Sequence, residues 1–120
     1  MGAFELKKAA APNGIPVVYI AGDLDATTAP VLRRELWDML LTGSSTIVLQ
    51  IESLSYVDSS GLGVLVSALR KSNEALGTIA LACPQANVTR VFRITGLDKL
   101  FSVYATEQDA LDALNSVQSA

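Results

Sequence analysis

Two short runs, residues 46–51 (Thr-Ile-Val-Leu-Gln-Ile) and 78–83 (Thr-Ile-Ala-Leu-Ala-Cys), are apolar at almost every position. A strand with one wet face would alternate. A run apolar on both faces fits a strand covered on both sides, as in parallel sheets flanked by helices. Between the two runs, Leu62, Leu65, Val66 and Leu69 recur at helical spacing. Strand, helix, strand is therefore the expected core unit, and the rest of the chain has to be arranged around it.

The same reading extends outward. Residues 4–9 and 15–21 are expected as strands joined by Ala10-Ala11-Pro12-Asn13-Gly14, where Asn-Gly supplies the backbone angles of a hairpin turn. Gly22-Asp23-Leu24-Asp25-Ala26 is expected as a loop. A helix capped by Thr27 or Thr28, with Pro30 in its first turn, runs to about residue 41 and buries Leu32, Leu36, Met39 and Leu40 before Gly43 ends it. The second helix spans 60–75 and is stopped by Gly77. Residues 87–95 form a third helix with Val88, Val91 and Phe92 inward, and 101–104 a short strand. Thr106 caps a last helix, 107–117, that buries Ala110, Leu111 and Leu114, and the tail at 116–120 is expected to fray. This order predicts an α/β sandwich, a mixed and mostly parallel sheet of about five strands with four helices and an antiparallel N-terminal hairpin. It should form one domain over residues 1–120, with its core at about 4–115.

Asp58-Ser59-Ser60-Gly61-Leu62-Gly63 stands where a strand and a polar loop feed the second helix. Free N–H groups and the positive end of the helix dipole favour an anion there. The plain structural role of the segment is capping by Asp or Ser, with Gly61 allowing close packing. Two hydroxyls in tandem, where one cap suffices, and a second acidic loop with Asp23 and Asp25 argue for more than a cap.

Composition removes many alternatives. The chain has no histidine, which excludes His-based triads and most transition-metal sites. Net charge is −3 and the basic residues are scattered, so no nucleic-acid footprint is expected. Apolar runs fall short of the roughly 18 residues of a membrane helix, and the N-terminus lacks a signal-peptide pattern. Leu6 stands where a myristoylation motif on Gly2 would need Ser or Thr. A cytoplasmic protein without membrane contact follows as the expectation. Cys83 cannot form an internal disulfide, because it is the single cysteine, and is read as a buried small hydrophobe. Gly61-Leu62-Gly63 lacks the third glycine of a dinucleotide fingerprint. Asn87-Val88-Thr89 is a chance sequon on a helix. Asp23, Asp25 and Asp58 are read as solvated loop acids or partner contacts rather than Mg²⁺ ligands, so no metal and no cofactor is expected. Trp37 and Tyr56 are read as packing residues, and Arg90 and Arg93 as a solvated helix face.

Three separated stretches resemble one family. Tyr56-Val57-Asp58-Ser59-Ser60-Gly61-Leu62-Gly63-Val64-Leu65 is similar to the signature of anti-sigma factor antagonists of the STAS domain family. Gly22-Asp23-Leu24-Asp25 resembles that family's acidic loop, and residues 91–101 resemble its third helix and exit turn. The resemblance covers about residues 4–114. It implies that Ser59 is the serine phosphorylated by an anti-sigma factor of the GHKL serine-kinase type, that a PP2C-type phosphatase removes the phosphate, and that the unphosphorylated form binds the anti-sigma factor and frees a sigma factor. Ser60 aligns with a family Ser or Thr, so the resemblance favours Ser59 over Ser60 as the acceptor. The implied partner surface is Asp23, Asp25, Asp58, Ser59, Ser60, Gly61 and Leu62, on a monomer that is a substrate rather than an enzyme. Two rivals remain: a STAS-type accessory subunit of a lipid ABC transporter, and a small regulatory protein that binds a nucleotide weakly.

Overall fold

A computed structural model describes residues 3–119, with side chains described over 3–115. The elements in order are β1 (Glu5–Ala10), β2 (Pro16–Leu24), α1 (Ala29–Leu41), β3 (Ile47–Gln50), β4 (Leu54–Val57), α2 (Ser59–Glu74), β5 (Ile79–Ala82), α3 (Ala86–Thr95), a 3-10 turn (Leu97–Lys99), β6 (Ser102–Tyr104) and α4 (Glu107–Ser119). The backbone of α4 runs on as helix through most of the stretch expected to fray; Ala120, like Gly2, lies outside the described residues.

The sheet order is β1-β2-β3-β5-β6, with β4 paired to β2 as well. β1 and β2 form the antiparallel hairpin, and every other pairing is parallel. The hairpin turn forms as its residues dictate. Asn13 folds back so that its Oδ1 accepts from the Ile15 N–H at 3.1 Å, and Gly14 takes a positive φ of 87°.

β3 and β5 are buried on both faces. On one face Val18, Ile20, Ile47, Leu49, Ile79 and Leu81 form a cluster with side chains of α1, α2 and α3, among them Leu36, Leu65 and Phe92. On the other, Val17, Val48, Ala80 and Ala82 meet Ala110, Leu111 and Leu114 of α4. The small alanines of β5 leave room for α4 to sit close. Each fully buried leucine or isoleucine stabilises the fold by about 1.5–3 kcal/mol relative to exposure. The start of α4 is pinned by polar contacts: Glu107 accepts from the Tyr19 hydroxyl at 3.2 Å and from Gln50 Nε2 at 3.4 Å. Burial, with the Glu107 hydrogen bond, raises the Tyr19 pKa above that of a free phenol.

Several expectations need correction. The sheet has six strands, because Leu54-Ser55-Tyr56-Val57, expected as loop, is strand β4. Gly22, Asp23 and Leu24, also expected as loop, extend β2 to pair with it, through a register shift between Gly22 and Asp23. Gly22 meets that bulge with φ 94°, and a Cβ there would lie 2.7 Å from the Ala3 carbonyl oxygen. After α2 it is Leu76, not Gly77, that takes the left-handed conformation, φ 65°. Gly77 is needed for another reason: a Cβ would collide with the Ser45 backbone. Cys83 follows β5 rather than ending it, is only half-buried, has φ 60°, and accepts from Gln50 Nε2 at 3.3 Å. Tyr56 is 48% exposed and so is not a packing residue. Leu40 and Val91 are half-buried against the core rather than inside it.

Candidate functional site

Parallel pairing of β2 with β4 brings the two acidic segments to one rim of the sheet. Leu24 pairs with Val57 and Asp23 with Tyr56, so Asp25 and Asp58 are the next residues on neighbouring strands. The Asp58 N–H donates to the Leu24 carbonyl at 3.2 Å, which extends the ladder into the motif. Here the chain turns into α2. The turn can be this tight because Gly61 rests on Leu24: a Cβ at 61 would come 2.6 Å from Leu24 Cγ.

Asp58 is the N-cap of α2. Its Oδ1 accepts from the N–H groups of Ser60 at 2.9 Å and Gly61 at 3.3 Å, and its carbonyl accepts from the Leu62 N–H at 2.9 Å. The helix end is thus less free for an added anion than its position in sequence suggests, since two of its donors already serve Asp58. Ser59 is the first residue of α2, one position earlier than expected, and both Ser59 and Ser60 are exposed. A phosphoryl group on the Ser59 oxygen would meet no steric bar from the core. It would sit beside the Asp58 carboxylate and at the positive end of the α2 dipole.

The second loop is held by its own hydroxyls. Asp25 Oδ1 accepts from the Thr27 N–H at 3.0 Å, the Thr27 hydroxyl at 2.7 Å and the Thr28 N–H at 3.2 Å. These bonds, the Thr27 hydroxyl first, pull the Asp25 pKa below the usual carboxylate value. Thr28 stands at the N-cap position of α1 but does not cap with its side chain. Its hydroxyl donates to the Asp23 carbonyl at 2.8 Å and accepts from the Asp25 N–H at 2.8 Å. The sequence suggested the threonines only as caps; their work is to fix Asp25.

Of the seven residues singled out for the partner surface, Asp23, Asp25 and Asp58 are half-buried, Ser59 and Ser60 exposed, and Gly61 and Leu62 buried. The last two position the rim from beneath. Exposed Tyr56 pairs with Asp23 and so stands at the same rim; its sole sequence signal is that it lies two residues before Asp58. Asn87 of α3 donates to the Ser55 carbonyl at 2.6 Å and ties α3 to β4. Among the described residues no three His, Cys, Asp or Glu side chains gather as a group able to hold a metal ion, and no helix is long and apolar enough to cross a membrane.

Fold and rim together define an α/β sandwich whose rim presents an exposed serine at a helix start. The chain belongs to the STAS domain family, which it matches over residues 7–110. It is 30% identical over 106 residues to an anti-sigma F factor antagonist of Paenibacillus polymyxa, covering 88% of this chain and 91% of that protein. It is 35% identical over 86 residues to an anti-sigma-B factor antagonist of Staphylococcus aureus, covering 72% and 80%. Among solved structures, the anti-sigma factor antagonist SpoIIAA in its unphosphorylated form superposes with a TM-score of 0.79 at 29% identity, covering 95% of this chain and 97% of that one. The phosphorylated form of SpoIIAA from Bacillus superposes with a TM-score of 0.70 at 28% identity, covering 92% and 98%.

Proposed function

We propose that this chain is an anti-sigma factor antagonist whose partner choice is set by phosphorylation of Ser59. The single observation that carries the reading is an exposed serine at the first position of α2, next to a capping aspartate and level with a second acidic loop held by its own hydrogen bonds. The relatives named above, two called antagonists of anti-sigma factors and one solved in both phosphorylation states, support it. In this account the unphosphorylated chain, as a monomer, binds an anti-sigma factor that is also a GHKL-type serine kinase, and a sigma factor is released. The kinase phosphorylates Ser59, and a PP2C-type phosphatase reverses the step. The chain is substrate and ligand, not catalyst. An ATP-using kinase partner implies a cytoplasmic location.

The switch works at the surface. Phosphate adds about −1.5 to −2 charges beside the Asp58, Asp23 and Asp25 carboxylates. A partner packed on Ser59, Ser60 and Tyr56 would have to desolvate that charge. A penalty of about 3 kcal/mol lowers affinity roughly 150-fold, enough to change partners without refolding. The test compares binding of Ser59→Asp and Ser59→Ala to the anti-sigma factor by calorimetry. Ser59→Ala should bind as the unmodified chain does and Ser59→Asp much more weakly; equal affinities would refute interface blocking.

A further inference from the structure

The stretch at residues 91–101 has no part in the Ser59 rim, yet it closes a cleft between α3, the 3-10 turn and the β6 edge of the sheet. The cavity there measures about 110 Å³. Its floor is hydrocarbon: Ile51, Leu81 and Phe92 are at most 3% exposed, and Val103 on β6 forms one wall at 39% exposure. Two side chains of opposite charge, Arg93 and Asp98, line the same cleft. Both residues are exposed, and neither side chain has a hydrogen-bonded or ion-paired partner among the described residues. A packing gap needs no charges at its mouth. A solvated charged face needs no apolar well beneath it.

The geometry points to a binding site for a small apolar amino acid. Its hydrocarbon side chain fills the well, its α-carboxylate meets the Arg93 guanidinium and its α-ammonium meets Asp98. Size sets the side chain. About 110 Å³ over an apolar floor accommodates an isopropyl or isobutyl group, valine or leucine rather than tryptophan. An apolar pocket with a few convergent polar groups is the usual form of such sites. The assignment does not depend on partner switching, because none of these residues lies on the Ser59 rim.

The experiment is an NMR titration of the ¹⁵N-labelled chain with L-leucine into the millimolar range. Saturable shifts are expected at the amides of Leu81, Phe92, Arg93, Asp98 and Val103. Leucinamide and N-acetyl-leucine, each missing one charge, should bind about tenfold more weakly, the scale of one charge-assisted hydrogen bond. Arg93→Gln and Asp98→Asn, at exposed positions, should show the same loss. No saturable shift with leucine, shifts centred elsewhere, or equal binding of N-acetyl-leucinamide, which keeps the hydrocarbon and neither charge, would each overturn the site.

Discussion

Replacing Gly61 with alanine should destabilise the chain, and replacing Gly63 with alanine should do the opposite. A Cβ at 61 would sit 2.6 Å from Leu24 Cγ, 2.8 Å from Leu24 Cδ2 and 3.0 Å from the Leu24 carbonyl oxygen. Leu24 is wholly buried, so it cannot swing aside without disturbing the core beneath the rim. Overpacking of this kind costs about 1–3 kcal/mol. A cap-proximal alanine recovers less than the roughly 0.8–1.0 kcal/mol that alanine gains over glycine in a helix interior. Gly63 lies two residues on, is exposed, and a Cβ there would meet nothing within 4 Å. It should collect that helix gain with no penalty. The two variants should therefore differ by about 1–4 kcal/mol, which at a urea slope of about 2 kcal/mol/M separates their midpoints by about 0.5–2 M. Because Leu24 leads directly into the Asp25 loop, Gly61→Ala should also weaken partner binding. Urea unfolding followed by circular dichroism gives the answer. A Gly61→Ala midpoint at or above that of Gly63→Ala would refute the claim that the α2 start is seated on Leu24.

Other outcomes follow from the rim. Asp58→Ala removes the acceptor for two helix N–H groups and should cost about 0.5–2 kcal/mol in urea unfolding, whereas Asp58→Asn, which keeps an acceptor oxygen, should cost much less. Ser59→Ala should change stability by no more than about 0.5 kcal/mol, and Ser59→Asp should unfold at a similar urea concentration, so that any loss of partner binding reports the interface and not the fold. Asp25 has its folded pKa depressed, so the extra strength its charge gives its hydrogen bonds is present in full above the ordinary carboxylate value of 3.8 and is lost as pH falls through the lower folded value. The midpoint of the unmodified chain should accordingly exceed that of Asp25→Asn at pH 7 and converge on it in acid; a gap that persists or widens in acid would contradict the assignment.

Much of this architecture was legible because burial leaves a local trace. Residues 46–51 and 78–83 are apolar on both faces since α1 to α3 cover one side of the sheet and α4 the other. The stripe at Leu62, Leu65 and Leu69 lies against that sheet. β4 left no such trace. Its two middle residues, Ser55 and Tyr56, are exposed, and only Leu54 and Val57 are buried. Gly22 and Asp23 are poor strand formers by composition, and what makes them strand is pairing with residues more than thirty positions away. The rim was similarly half-visible. The motif marked Ser59, but the capture of two α2 donors by Asp58 and the clamp of Thr27 and Thr28 on Asp25 depend on side-chain geometry that spacing does not encode. Leu76, not Gly77, takes the left-handed conformation, and nothing in the spacing marks it. The need for glycine at 77 is likewise set by the Ser45 backbone, which is remote in sequence.

The most direct test of the central claim is mass spectrometry of the intact and digested chain after incubation with a GHKL-type anti-sigma kinase and ATP. One added phosphate, located on Ser59 and absent from the Ser59→Ala chain, is the predicted result. Phosphate on Ser60 alone, or none with any such kinase, would contradict the account.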